Sequence, residues 1–158
     1  MLEKTILDEI GNTPLIKLRN ITSYCVLAKS EFLNPGGSIK DRVAKHLIEE
    51  AEKEGKLTKD SIIVEPTSGN TGIGMVLIGA QKGYRVIIVM PEDMSEERKK
   101  IIKAFGGELI LTPAEESLQG SCCMGIHRCP ADASIRRRHL HLVGLSRRRL
   151  SQGLGNAD

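Results

Sequence analysis

Ser61-Ile62-Ile63-Val64-Glu65-Pro66-Thr67-Ser68-Gly69-Asn70-Thr71-Gly72 is the stretch on which the fold turns. Ser61 to Val64 is an uninterrupted apolar run, the pattern of a strand buried on both faces. Pro66 to Gly69 breaks it, and Thr71 to Lys82 follows as an apolar helix stopped by Gly83. The same alternation continues downstream. Arg85 to Met90 is a second buried-type strand, ended by Pro91. Ser95 then caps a helix with Glu96 and Glu97 in its first turn and Lys99, Lys100 and Lys103 later, matching the helix dipole. Gly106 and Gly107 end that helix, and Glu108 to Thr112 returns as a strand. Upstream, Ser38 caps a helix whose apolar stripe runs Val43, Leu47, Ile48 and Ala51. Glu49 with Lys53, and Glu52 with Lys56, are spaced for ion pairs on its wet face, and Gly55 suits its last turn. Pro14 to Leu18 and Tyr24 to Lys29 read as short strands, with Cys25 a small core residue on the second. Strand and helix alternating three times predict an α/β fold, a parallel sheet with helices on both faces.

The chain has 158 residues, 40% apolar and 27% charged, which suits one globular domain. A net charge of +3 is too slight to imply a nucleic-acid partner. No apolar run approaches the roughly 20 residues a membrane span needs. Met1-Leu2-Glu3-Lys4 lacks the basic and apolar regions of a secretory signal, so the expected location is cytoplasmic. Composition breaks near residue 120. Residues 1–120 hold 12 Lys and 4 Arg against 18 acids, a balance of −2. Residues 121–158 hold no Lys, 7 Arg and 2 acids, a balance of +5. A change from Lys-rich to Arg-only usage resembles a change of coding frame, and the last stretch lacks clear periodicity. The competing reading is a basic tail for nucleic acid or acidic lipid. Residues 121–158 are therefore expected to form an irregular or disordered basic tail, unrelated to the body and frameshifted.

Two loops carry chemistry. Asn34-Pro35-Gly36-Gly37-Ser38-Ile39-Lys40-Asp41-Arg42 turns sharply and then opens a helix, so Lys40 lies in the first helical turn. Positive partial charge at a helix N-terminus favours the neutral amine that Schiff-base chemistry needs. The plainer alternative is a surface lysine paired with Asp41 or Glu31. The second loop, Glu65 to Gly72, lies between a buried strand and an apolar helix. Its N–H groups and hydroxyls converge as in an anion-binding loop at the carboxyl end of a parallel strand. Its glycine spacing fits neither the dinucleotide fingerprint nor the P-loop. The plainer alternative is an ordinary capping loop.

Both loops resemble those of the cysteine synthases (O-acetylserine sulfhydrylases), fold type II pyridoxal-phosphate enzymes. The opening Ile10-Gly11-Asn12-Thr13-Pro14-Leu15 and the segment Met90-Pro91-Glu92-Asp93-Met94-Ser95-Glu96-Glu97-Arg98 are similar to that family too. The likeness covers about residues 1–120, taken as the N-terminal part of such a domain. It implies a Schiff base between Lys40 and pyridoxal 5'-phosphate, with Lys40 also removing the substrate's α-proton. It implies a hydrogen bond from Asn70 to the cofactor's ring hydroxyl, and a grip on the substrate carboxylate by Thr67, Ser68, Gly69, Asn70 and Thr71. The implied reaction converts O-acetylserine and sulfide into cysteine and acetate, in a homodimer. Cystathionine β-synthases share most of these motifs and are the nearest alternative; a non-catalytic interaction protein reusing the half-fold is another.

The sequence departs from that family in one respect. Members are longer, and the glycine-rich loop for the cofactor phosphate, with the serine facing the pyridine nitrogen, has no match in residues 121–158. The expectation is a truncated chain with little or no activity. In the tail, Cys122, Cys123, His127 and Cys129 fit no standard zinc spacing, so no metal site is expected. The triplets Arg136-Arg137-Arg138 and Arg147-Arg148-Arg149 lack interleaved aromatics, so no nucleic-acid site is expected either. The lone body histidine, His46, reads as surface.

Overall fold

The computed structural model describes residues 4–21 and 23–114 and the backbone of Leu140–Leu142. Its centre is a parallel sheet built from β3 (Ile62–Pro66), β4 (Arg85–Pro91) and β5 (Glu108–Thr112). A three-residue strand, β6 (Leu140–Leu142), pairs with β3, so the order is β5-β4-β3-β6. Register runs from Ile62↔Arg85 to Pro66↔Val89 and from Ile87↔Glu108 to Pro91↔Thr112. The strand from residue 62 extends through Glu65 and Pro66, which the sequence reading gave to the loop. Pairing outlasts the apolar run because Thr67 N–H still donates to the Val89 carbonyl at 3.1 Å.

Side chains alternate across this sheet, as successive residues of a strand must. Ile63, Val86, Ile88 and Met90 face one cluster, which also takes in most of the buried apolar side chains of the helices. Ile62, Val64, Ile87 and Val89 face the other way, with Ile110 packed against them. The flanking helices are α1 (Lys40–Lys53), α2 (Asn70–Gln81) and α3 (Glu96–Ala104). Among the described residues they contribute to the first cluster alone: Ala44, Ile48 and Ala51 from α1, Ile73, Met75, Val76 and Ile78 from α2, and Ile102 from α3. Helix α2 is buried continuously from Gly72 to Gly79 because it lies between the sheet and α1. That explains why its sequence is apolar all round. Helix α3 begins as expected, with the Ser95 hydroxyl accepting from Arg98 N–H at 3.5 Å.

Three local expectations fail. The most buried line on α1 is Asp41, Ala44, Ile48 and Ala51, with Val43 and Leu47 half-buried at its margins. Small Ala44 is what lets α2 approach; Gly74 meets it there. The spaced ion pairs on α1 do not form. Lys53 pairs with Glu50 at 2.7 Å and Lys56 with Glu54, while Glu52 turns to Lys82 at 2.7 Å and to the Tyr84 hydroxyl at 2.9 Å. Cys25 is an exposed free thiol. It lies beside an antiparallel ribbon, β1 (Leu15–Leu18) with β2 (Val26–Lys29), that has no buried face of its own. Around it Leu15 is 62% exposed, Phe32 68% and Tyr24 81%. His46 is exposed, as expected. The tail's cysteine, histidine and arginine clusters lie outside the described residues.

Candidate functional site

Both loops singled out in the sequence end at helix N-termini on the carboxyl side of the sheet. Asn34 to Gly37 forms a tight turn, its Gly37 N–H donating to Asn34 O at 2.7 Å. Gly37 takes φ +81°, a backbone angle that glycine tolerates and β-branched residues do not. The Ser38 hydroxyl accepts from Lys40 N–H at 3.1 Å, so it closes the turn just ahead of α1, which begins at Lys40 itself. Lys40 is half-buried, and its amine has no hydrogen-bond or ion-pair partner among the described residues.

The two carboxylates that a surface lysine would seek are committed elsewhere. Glu31 takes Arg42, with Nε at 2.9 Å from one oxygen and Nη2 at 2.9 Å from the other. The Arg42 guanidinium, helped by Asn34 and Thr13, holds the Glu31 carboxyl down at about 2. Asp41 accepts Gly36 N–H at 2.5 Å through one oxygen. Its other oxygen is buried without a partner, and burial raises its pKa despite that hydrogen bond. The surface-pair alternative for Lys40 therefore does not hold in this structure.

The second loop leaves β3 at Pro66. Gly69 is extended, with φ −116° and ψ −165°, and α2 starts at Asn70. Thr67 Oγ1 accepts from Gly69 N–H at 3.4 Å, and its methyl lies 2.9 Å from where a Cβ on Gly72 would stand. Ser68 and Thr71 are half-buried and Asn70 is exposed. The side chains of Ser68, Asn70 and Thr71 have no hydrogen-bond partner among the described residues, which leaves them and the first N–H groups of α2 open to a ligand. Gly74, one turn further on, brings the loops together. A Cβ there would stand 3.1 Å from the Lys40 carbonyl oxygen and 3.2 Å from Ala44 Cβ. The first turns of the two helices are thus in contact, with the lysine on one and the open loop on the other.

A family model described as "Pyridoxal-phosphate dependent enzyme" matches residues 6–129. The chain belongs to this family. Its relatives include the cysteine synthase of a Flavobacterium species, 55% identical over 117 residues, covering 73% of this chain and 38% of that protein. Cystathionine beta-synthase of Saccharomyces cerevisiae is 53% identical over 114 residues, covering 68% of this chain and 22% of that protein. Among solved structures, a hydrogen sulfide-producing enzyme from Fusobacterium nucleatum superposes with TM-score 0.79 at 41% identity, covering 90% of this chain and 47% of that one. Cysteine synthase from Entamoeba histolytica superposes with TM-score 0.78 at 38% identity, covering 90% and 43%. The chain spans less than half the length of these relatives.

Reasoning from sequence missed what three residues in these two loops do. Glu65 is 3% exposed, its Oε2 has no partner among the described residues, and burial pushes its carboxyl up to about 8. Nothing in a strand-to-loop junction announces a neutral acid. Arg42 and Asn34 stand within the quoted lysine loop, but their partners come from residues 11, 13 and 31, which no local spacing reveals. Among the described residues no cluster of His, Cys, Asp or Glu could hold a metal ion, and no helix is long and apolar enough to cross a membrane.

Proposed function

We propose that this chain is the N-terminal portion of a cysteine synthase, the part that carries the cofactor lysine and the carboxylate loop. The reaction is β-replacement: O-acetylserine and sulfide become cysteine and acetate. The observation that carries the proposal is the unpaired, half-buried amine of Lys40 at the start of a helix packed against the start of α2. The residues fit pyridoxal 5'-phosphate on its aldehyde and ring-hydroxyl sides, since Lys40, Asn70 and the hydroxyls of Ser68 and Thr71 are all unspent. When bound, the cofactor supplies an electron sink for bond changes at the amino acid's α- and β-carbons. Lys40 would hold it through Nζ, and the same atom would take the substrate's α-proton. Asn70 would hydrogen-bond the cofactor's ring hydroxyl. Thr67, Ser68, Gly69, Asn70 and Thr71 bind the substrate carboxylate with N–H and hydroxyl donors at the positive end of α2.

The Saccharomyces relative supports a second reading, a cystathionine β-synthase-like enzyme with the same lysine and loop. The same proposal takes the intact protein as a cytoplasmic homodimer. It takes residues 1–120 as the N-terminal part of a cysteine synthase-like domain and residues 121–158 as an unrelated, frameshifted basic tail. Translating all frames of the coding DNA across Gln119 to Cys129 tests the tail. Cofactor binding tests the site. The full chain mixed with pyridoxal phosphate is expected to gain a visible absorbance band that Lys40→Ala abolishes. An equal band in Lys40→Ala would overturn the assignment.

A further inference from the structure

The opening motif Ile10-Gly11-Asn12-Thr13 has no part in the chemistry proposed above, yet five polar side chains converge on the segment that contains it. Lys45 Nζ donates to Leu7 O at 2.8 Å, and Gly11 N–H donates to Asn34 Oδ1 at 2.9 Å. Arg42 Nη2 donates to Gly11 O at 2.7 Å and to Thr13 Oγ1 at 3.2 Å. Thr13 Oγ1 donates to Glu31 Oε1 at 3.0 Å, and Lys29 reaches Thr13 O. Asn34 Nδ2 closes the circuit onto Glu31, at 2.8 Å from its carbonyl and 2.8 Å from Oε2. Gly11 itself takes φ +91°, and a Cβ there would stand 2.7 Å from Arg42 Nη1, so the guanidinium packs against a backbone that only glycine leaves clear.

The two side chains that tie this segment down most directly bound the lysine loop, Asn34 at its start and Arg42 two residues past Lys40. A planar guanidinium held bidentate by a carboxylate and also bonded to a backbone carbonyl has little freedom, and a lysine cannot reproduce that fork. We infer that residues 10–13 act as a bracket, and that Arg42 is a positioning residue which fixes the Lys40 loop against them and so keeps Lys40 beside the start of α2. The inference rests on the proposed role of Lys40 in binding the cofactor.

The test is reductive trapping. The full chain is incubated with pyridoxal phosphate and borohydride, and the label on each of its 12 lysines is measured by peptide mass spectrometry. Wild type should concentrate label at Lys40. Arg42→Gln, which adds no new amine, and, more gently, Thr13→Val should lower the Lys40 share, by about ten-fold for the arginine because a charge-assisted bidentate contact is lost. Hydrogen exchange of the β3 and β4 amides, read in parallel, should stay at the wild-type level in Thr13→Val, which separates positioning from general loss of structure. An unchanged Lys40 share in both variants overturns the bracket alone. Uniform labelling of lysines in wild type overturns the cofactor reading, and the bracket with it.

Discussion

Glu65 offers the sharpest quantitative check on the structure. Its side chain projects from β3 on the helix side of the sheet, where it neighbours Ile88 across the pairing of the two strands. Only 3% of it is exposed, one of its oxygens has no partner among the described residues, and burial lifts its pKa from 4.5 to about 8. In the unfolded chain the same carboxyl ionises near 4.5. Between those two values the folded state holds a proton that the unfolded state has released. Stability contributed by this group is therefore fully present below about pH 4.5 and falls as pH rises, by about 1.4 kcal/mol per pH unit, until about pH 8. The total loss is on the order of 3–5 kcal/mol, a large share of a typical domain's stability. Glu65→Gln keeps the shape and removes the titration. Its extra N–H carries a cost, but that cost does not vary with pH, so the slope is the readout and not the level. Urea unfolding of wild type and Glu65→Gln at pH 5, 6, 7 and 8 should give a falling free energy for wild type and a flatter one for the variant. Parallel curves would refute the neutral buried carboxyl.

Ile48→Ala should lose about 2–5 kcal/mol in the same urea assay, since Ile48 is fully buried in the cluster joining α1, α2 and the sheet. Gly74→Val should depress the melting temperature and weaken pyridoxal phosphate binding together, because the new side chain meets the Lys40 carbonyl and Ala44; a variant that melts early but binds normally would uncouple that contact from the site. Glu31→Gln should flatten the acid limb of the stability curve. The folded Glu31 carboxyl ionises at about 2, below its ordinary 4.5, so its contribution is present above pH 4.5 and is lost as pH falls toward 2. Circular dichroism through an acid titration reads the difference between the two proteins.

The sheet and its helices were legible because their signals are local. Val86 to Met90 is apolar at every position and ends at proline, and Ser95 with Glu96 and Glu97 marks a helix start that the structure reproduces. The lysine and hydroxyl loops were legible for the same reason, each being a glycine-rich break ahead of a helix. What escaped depends on distant partners. Val43 and Leu47 looked like part of α1's buried stripe with Ile48 and Ala51, but the close approach to Gly74 happens at Ala44. Glu52 looked like a surface partner for Lys56, but Lys82 and Tyr84 arrive from thirty residues or more away. Cys25 looked buried because its neighbours are apolar, though a two-stranded ribbon has nothing of its own beneath which to bury them.

That ribbon also governs how the isolated chain behaves in a tube. Leu15, Tyr24, Phe32 and their neighbours turn apolar surface outward from a segment tied to α1 through Arg42, which bonds Thr13 and Glu31. Encounters between two such surfaces grow with the square of concentration, whereas folding of one chain does not depend on concentration at all. Diluting the protein thus shifts the contest toward the single molecule, and a dilution series by light scattering gives the concentration at which sticking overtakes it.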